Sequence, residues 1–169
     1  GISDRPTVRK TWAIKGKTPV IKSTGSWAAM SLTATLVCVP AGSNPAMLLK
    51  TKKGSVKKED VLVYLKLLKR WFKGKGLLLF WDGLAAHRAK VVKEYLKTQK
   101  RWLRVEKFPA YAPELNPVEY FWAAMKNKHV CNLRPQGLPA LDRAVKSGKH
   151  KIAKDKELMK GFLKASKLY

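Results

Sequence analysis

Residues 76–83 read Gly-Leu-Leu-Leu-Phe-Trp-Asp-Gly, an apolar run entered through one glycine and left through an acid and another glycine. A run this short and this apolar fits a β-strand buried on both faces, and it is far below the ~20 residues a membrane-spanning helix needs. The period on either side is helical. From Lys58 onward Val61, Leu62, Leu65, Leu68, Trp71 and Phe72 recur at helical spacing, with Glu59 and Asp60 in the first turn, where the helix dipole favours acids. His87–Gln99 predicts a second helix with Val91, Val92, Tyr95 and Leu96 inward, and Trp102–Phe108 alternates as a strand. The unit is strand, helix, strand, which places the chain in the α/β class.

The segments before and after this unit differ in kind. Thr11–Ile21 alternates around a turn at Gly16 and predicts two short strands or a hairpin. Trp27–Val39, closed by Pro40-Ala41-Gly42, and Ala46–Lys52, closed by Gly54, predict neighbouring antiparallel strands. Downstream, Asn116 is a good N-cap and Pro117 suits the first helical position, with Val118, Trp122 and Met125 on one stripe of a helix reaching about His129. Leu138–Lys146 and Lys154–Ser166 predict two more amphipathic helices, and Trp71, Phe121 and Trp122 read as core aromatics. No internal repeat or low-complexity linker interrupts the 169 residues, so they are expected to form a single domain.

Charge narrows the partners. Lys and Arg number 36 against 11 Asp and Glu, a net charge of +25, while 46% hydrophobic residues and six Trp suffice to bury a core. Such a domain takes polyanions, because each phosphate it neutralises releases condensed counterions. The lysines are dispersed along the chain rather than gathered in one amphipathic helix or terminal block, which favours nucleic acid over a membrane surface. No charged-then-apolar signal segment opens the chain, so a soluble protein that is not secreted is expected. Cys38 and Cys131 form no CxxC or Cys/His cluster; they read as buried thiols of a reducing compartment, with no structural zinc. His129 and His150 read as ordinary surface groups.

In so basic a chain a carboxylate placed at a cost is informative. Asp82 follows the apolar strand, and functional groups gather at the carboxyl ends of strands in open α/β sheets; equally, Asp-Gly is a favoured turn pair. Glu119 stands at the third position of a helix, where Asn116-x-x-Glu119 resembles a capping box. Read together, the two acids suit the carboxylate set of a two-metal phosphodiester site, since Mg²⁺ prefers hard oxygen ligands. The 36 residues between them hold one helix, one strand and a Pro-rich loop, so they permit a strand-end acid to meet a helix-start acid.

Two blocks are recognisable. Trp81-Asp82-Gly83-Leu84-Ala85-Ala86-His87-Arg88 and Phe108-Pro109-Ala110-Tyr111-Ala112-Pro113-Glu114-Leu115-Asn116-Pro117-Val118-Glu119-Tyr120-Phe121-Trp122 resemble the signature blocks of the DDE transposases of the mariner-like insertion-sequence superfamily. The opening segment, with Gly1-Ile2-Ser3, Pro6, Arg9-Lys10-Thr11-Trp12-Ala13 and Gly16-Lys17-Thr18-Pro19, is similar to that family's as well, and the resemblance runs to about Leu133. It implies a ribonuclease H-like mixed sheet flanked by helices. It also implies three acids binding two Mg²⁺ or Mn²⁺ ions, cleavage of double-stranded DNA at the element's ends and joining to target DNA, with a homodimer or larger assembly when active. By position Asp82 matches the second acid and Glu119 the third.

The same resemblance locates a departure. The family's first acid would lie three positions before Gly1, so the first strand is expected to be largely missing, together with the N-terminal helix-turn-helix domain. Asp4 falls at a position the pattern does not reserve for a metal ligand. With one ligand lacking, this polypeptide is expected to cleave DNA little or not at all. His87 is a candidate neighbour of the metal site and Glu114 a structural residue of the signature loop; Arg88, Lys126 and Lys128 are candidates for phosphate contacts. Two other readings remain: a non-enzymatic basic nucleic-acid-binding protein, in which Asp82 is a turn and Glu119 a cap, and another ribonuclease H-like nuclease.

Overall fold

The computed structural model describes residues 1–4, 8–20, 28–38 and 44–167. The chain divides into two compact units, one made of Gly1–Ser55 with Pro117–Tyr169 and the other of Val56–Asn116.

In the first unit β1 (Ile2–Ser3), β2 (Ala29–Val37) and β3 (Ala46–Lys53) form an antiparallel sheet in that order, with Ile2 opposite Met30 and Ser31 to Val37 paired with Lys52 back to Ala46. Three helices complete it: α3 (Pro117–Ala124), α4 (Gly137–Lys154) and α5 (Lys156–Ala165). Met30 and Met47 of the sheet and Phe121, Val145, Ile152, Met159 and Phe162 of the helices share one buried core. Unbranched methionines suit the irregular gap between helices and a short sheet. At the edge of that core Asp142 of α4 accepts a hydrogen bond from the Thr51 hydroxyl of β3 at 2.6 Å and pairs with Lys146 one turn on, also at 2.6 Å.

Several boundaries differ from expectation. The helix begun at Pro117 keeps α-geometry only to Ala124; Met125–His129 is a π-helical turn, closed by the Val130 N–H on the Met125 carbonyl at 3.1 Å. This widened turn brings Met125 and His129 against Gly148. A Cβ at that glycine would lie 2.8 Å from both His129 Cβ and Met125 Sδ. Gly148 is therefore a contact inside α4, which runs unbroken for 18 residues where the sequence predicts a helix ending near Lys146. The true break is Asp155, whose side chain accepts the Leu158 N–H at 2.9 Å and caps α5.

Residues 8–20 carry the expected turn, with Gly16 at φ +81° and the Lys17 N–H on the Ile14 carbonyl at 2.9 Å. No strand forms on either side of it among these residues, and Trp12 is 100% exposed. A two-stranded ribbon with no layer to pack on is marginal in water, which is why alternation alone did not produce the hairpin. Ile21 lies outside the described residues, as do Trp27 and Val39, the ends predicted for the second strand.

In the second unit α1 (Lys58–Trp71) and α2 (Lys90–Thr98) accompany β4 (Leu77–Trp81) and β5 (Leu103–Lys107), which pair in parallel with Leu77 opposite Leu103 and Trp81 opposite Lys107. Val61, Leu65 and Leu68 form the buried stripe of α1, as their spacing requires. Gln99 fastens the end of α2: its Oε1 accepts from Lys69 Nζ at 2.8 Å and from Trp102 Nε1 at 2.9 Å. Contrary to expectation β4 is not buried on both faces. Side chains alternate across the pleat, and the face that carries Leu78 and Phe80, 51% and 42% exposed, is the more open one among the described residues. Trp71, predicted as core, is also exposed; it ends α1, where it meets Phe72 edge-on at 5.2 Å. The five strands among the described residues, antiparallel and parallel, with their helices make the mixed α/β class that the element order predicts. Among the described residues no helix is long and apolar enough to cross a membrane.

Candidate active site

β4 delivers Asp82 to its carboxyl end. The chain then turns through Gly83 and Leu84 into a 3-10 turn, Ala85–Arg88, closed by the His87 N–H on the Leu84 carbonyl at 2.9 Å. Both His87 and Arg88 thus sit on this turn and not on the helix predicted from His87. Ala89 is extended at φ −59°, ψ 142°, and α2 starts only at Lys90. The tighter turn folds His87 back onto the strand end.

Asp82 Oδ1 receives two donors, the Leu84 N–H at 3.0 Å and His87 Nδ1 at 3.0 Å. The first is the local bond that an Asp-Gly turn would make, so the turn reading of Asp82 describes part of the geometry. The second is not local turn chemistry. The imidazole lies flat on the Trp81 indole, with centroids 4.3 Å apart and planes 1° from parallel, and Nδ1 is also 3.2 Å from the Asp82 carbonyl oxygen. The hydrogen bond from His87 holds the Asp82 carboxyl below the usual carboxylate range; burial opposes this, and the Leu84 N–H and the charge of His87 add to it. The His87 side chain is 17% exposed and that of Asp82 59%, so the carboxylate faces solvent while its support does not. Oδ2 of Asp82 accepts no hydrogen bond from the described residues.

Glu119 is exposed in the first turn of α3. The capping box predicted for it does not form: the Asn116 N–H that it would reach is taken by the Pro113 carbonyl at 3.0 Å, closing a short 3-10 turn over Pro113–Leu115. Its carboxylate has no hydrogen bond or ion pair with the described residues. Lys126 and Lys128 stand exposed on the π-helical turn that follows, and Arg88 is exposed beside His87. His129, expected as a plain surface group, is instead packed against Gly148; burial, with Lys151 and Lys128 nearby, pushes its pKa down. His150 is exposed as expected. Both cysteines are free, but Cys38 is exposed just past the end of β2, where the strand no longer shelters it, and Cys131 donates to the Asn127 carbonyl at 2.8 Å.

Asp82, His87 and Arg88 belong to the second unit; Glu119, Lys126 and Lys128 belong to the first. Asp82 and Glu119 each offer carboxylate oxygens that no donor among the described residues engages, the oxygen type that Mg²⁺ and Mn²⁺ take. Among the described residues no three of His, Cys, Asp and Glu gather into a complete metal cluster. Sequence reasoning passed over Trp81 as anything but a strand residue; an aromatic directly before a strand-end acid, with a His five positions on, is the signal that was available.

The sequence matches the family model of DDE superfamily endonucleases over residues 1–141. No protein of curated function matches it. Among solved structures it is similar to the mariner Mos1 paired-end complex with Mg at a TM-score of 0.64 and 14% identity, covering 96% of this chain and 49% of that one. The Mos1 paired-end complex with Mn gives 0.57 and 16%, covering 97% and 52%, and the catalytic domain of Mos1 mariner transposase gives 0.50 and 15%, covering 81% of each. The chain thus spans about half the length of the first of these, and the likeness shows that its mixed α/β architecture is the ribonuclease H-like fold expected of it. With five-sixths of its residues inside the matched region, the chain belongs to the DDE superfamily endonuclease family.

Proposed function

We propose that this chain is the catalytic part of a transposase, cutting double-stranded DNA at an element's ends and joining those ends to target DNA. The observation that carries the reading is Asp82: an acid at the carboxyl end of a parallel strand, held ionised by His87 and the Leu84 N–H, with one oxygen left open. Family membership supplies the endonuclease chemistry, and the similar Mos1 structures include paired-end complexes with Mg and with Mn and a strand-transfer complex.

In this reading Asp82 and Glu119 are two of the ligands that hold two divalent ions. Ions held there would activate an attacking oxygen and stabilise the leaving oxygen of a phosphodiester. Glu119 serves this role because no cap engages it. Arg88, Lys126 and Lys128 hold backbone phosphates and position the duplex without reading its sequence, within the field of a chain of net charge +25. Pairing two element ends calls for at least a homodimer, and work on DNA in a prokaryotic cell fits the cytoplasm.

The test is Mn²⁺ binding followed by electron paramagnetic resonance, with DNA binding measured in parallel. Asp82→Asn and Glu119→Gln are each expected to weaken Mn²⁺ at least tenfold while leaving low-salt DNA binding intact. Variants that bind Mn²⁺ like the parent, with DNA binding retained, would instead support the non-enzymatic nucleic-acid-binding reading. Mg²⁺-dependent nicking of supercoiled plasmid that Glu119→Ala abolishes would overturn that alternative.

A further inference from the structure

His87 does more than stand near Asp82. Its Nδ1 faces two oxygens, Asp82 Oδ1 at 3.0 Å and the Asp82 carbonyl at 3.2 Å. Both are acceptors, so Nδ1 must carry the proton, whether the ring is neutral or charged. The ring cannot swing away from this pose without leaving the Trp81 indole, on which it lies at 4.3 Å and within 1° of parallel. Trp81 and Asp82 are consecutive residues of one strand end, so the platform and the carboxylate move together. The 3-10 turn, tied by the His87 N–H on the Leu84 carbonyl at 2.9 Å, returns the imidazole to both.

The consequence for the carboxylate is directional. Oδ1 is occupied twice, by Leu84 and by His87, while Oδ2 receives nothing from the described residues. A free aspartate at a strand end rotates about χ1 and χ2 and presents either oxygen; one pinned through a single oxygen by two donors presents the other in a fixed direction. Hydrogen-bonded partners of ligating carboxylates act in this way, orienting the ligand before the ion arrives.

We propose that His87, stacked on Trp81, is a positioning residue that fixes the Asp82 carboxylate through Oδ1 so that Oδ2 is presented to a divalent cation. This rests on the reading of Asp82 as a metal ligand, and it assigns His87 no contact with the ion.

Two substitutions separate the stack from the hydrogen bond. His87→Phe keeps a flat ring for Trp81 and removes the donor; His87→Asn places an amide N–H close to where Nδ1 stood and removes the stack. In Mn²⁺ titrations followed by electron paramagnetic resonance, His87→Phe is expected to lose about tenfold in affinity and His87→Asn to stay within about threefold of the parent. A residue that merely supported folding would not be rescued by Asn in preference to Phe. If both variants bind Mn²⁺ like the parent while Asp82→Asn does not, the positioning role is wrong and the metal reading stands. If Asp82→Asn also binds like the parent, the metal reading fails and takes this proposal with it. Independently of any variant, long-range proton–nitrogen spectra of the metal-free protein should show His87 protonated at Nδ1; a bare Nδ1 with the proton on Nε2 overturns the proposal.

Discussion

The Nδ1 atom of His87 lies 3.0 Å from Oδ1 of Asp82, five residues earlier, while the ring rests on the indole of the residue just before that aspartate. One strand end thus carries both a carboxylate and the surface that seats its partner. The arrangement makes Asp82 a better anion and bears on how the protein responds to acid.

Asp82 and Asp142 both have pKa values below the ordinary carboxylate range. For Asp82 the first cause is the His87 hydrogen bond; for Asp142 it is the bond from Lys146, followed by that from the Thr51 hydroxyl. A carboxyl group whose folded pKa is depressed binds protons more readily when unfolded. The stability it contributes is therefore present above its unfolded pKa of about 4 and lost as pH falls through the lower folded value. Asp142→Asn should lower the melting temperature at pH 7 and shrink the further drop between pH 5 and pH 2; thermal melts across that range check it. The expected loss at pH 7 is about 1 kcal/mol, since Asn can still accept from Thr51 but cannot pair with Lys146.

Gly148→Ala should destabilise the first unit. Alanine in a helix interior gains about 1 kcal/mol over glycine. Against this, the new Cβ would sit 2.8 Å from His129 Cβ and Met125 Sδ. The thioether can swing aside, but His129 Cβ is held by the π-helical turn, and overpacking of this kind costs about 1–3 kcal/mol. Chemical denaturation should show a net loss of about 1 kcal/mol, and an unchanged or raised midpoint would mean that the turn yields.

Asp4 is only 6% exposed, and neither of its carboxylate oxygens has a hydrogen-bond partner among the described residues. A buried polar group in that condition costs about 1–3 kcal/mol, more when ionised. Asp4→Leu replaces both unpartnered oxygens by methyl groups on the same heavy-atom skeleton and should raise stability by about 1 kcal/mol. Differential scanning calorimetry at pH 7 measures the gain; a lower melting temperature would show that the carboxylate is compensated.

Binding to duplex DNA should be steeply salt-dependent and nearly indifferent to sequence. Each of Arg88→Ala, Lys126→Ala and Lys128→Ala should weaken binding and reduce the slope of log K against log salt by about 1 if the residue contacts a phosphate. Fluorescence anisotropy on two duplexes of unrelated sequence separates the cases. A substitution that leaves the slope unchanged removes that residue from the phosphate contacts.

Much of this was legible in the sequence because it depends on neighbours along the chain. The stripe of Val61, Leu65 and Leu68 determined α1, since helical periodicity alone gives it one apolar face. The apolar run ending in Asp82 determined a strand with an acid at its carboxyl end, and Pro117 after a polar residue determined where α3 begins. Tertiary packing decided what depends on partners distant in the chain. A hairpin at Gly16 needed a layer to pack on, and so did the face of β4 that carries Leu78 and Phe80. Gly148, a helix breaker by propensity, stays helical because removing its side chain lets the Met125–His129 turn approach. The clasp of Asp82 by His87 belongs to the same class. Five residues is not a helical repeat; only the 3-10 turn, together with the flat face of Trp81, brings the imidazole back to the carboxylate. Periodicity can specify which face of an element is apolar, but the closing of a turn and the seating of one ring on another are settled by atoms in contact.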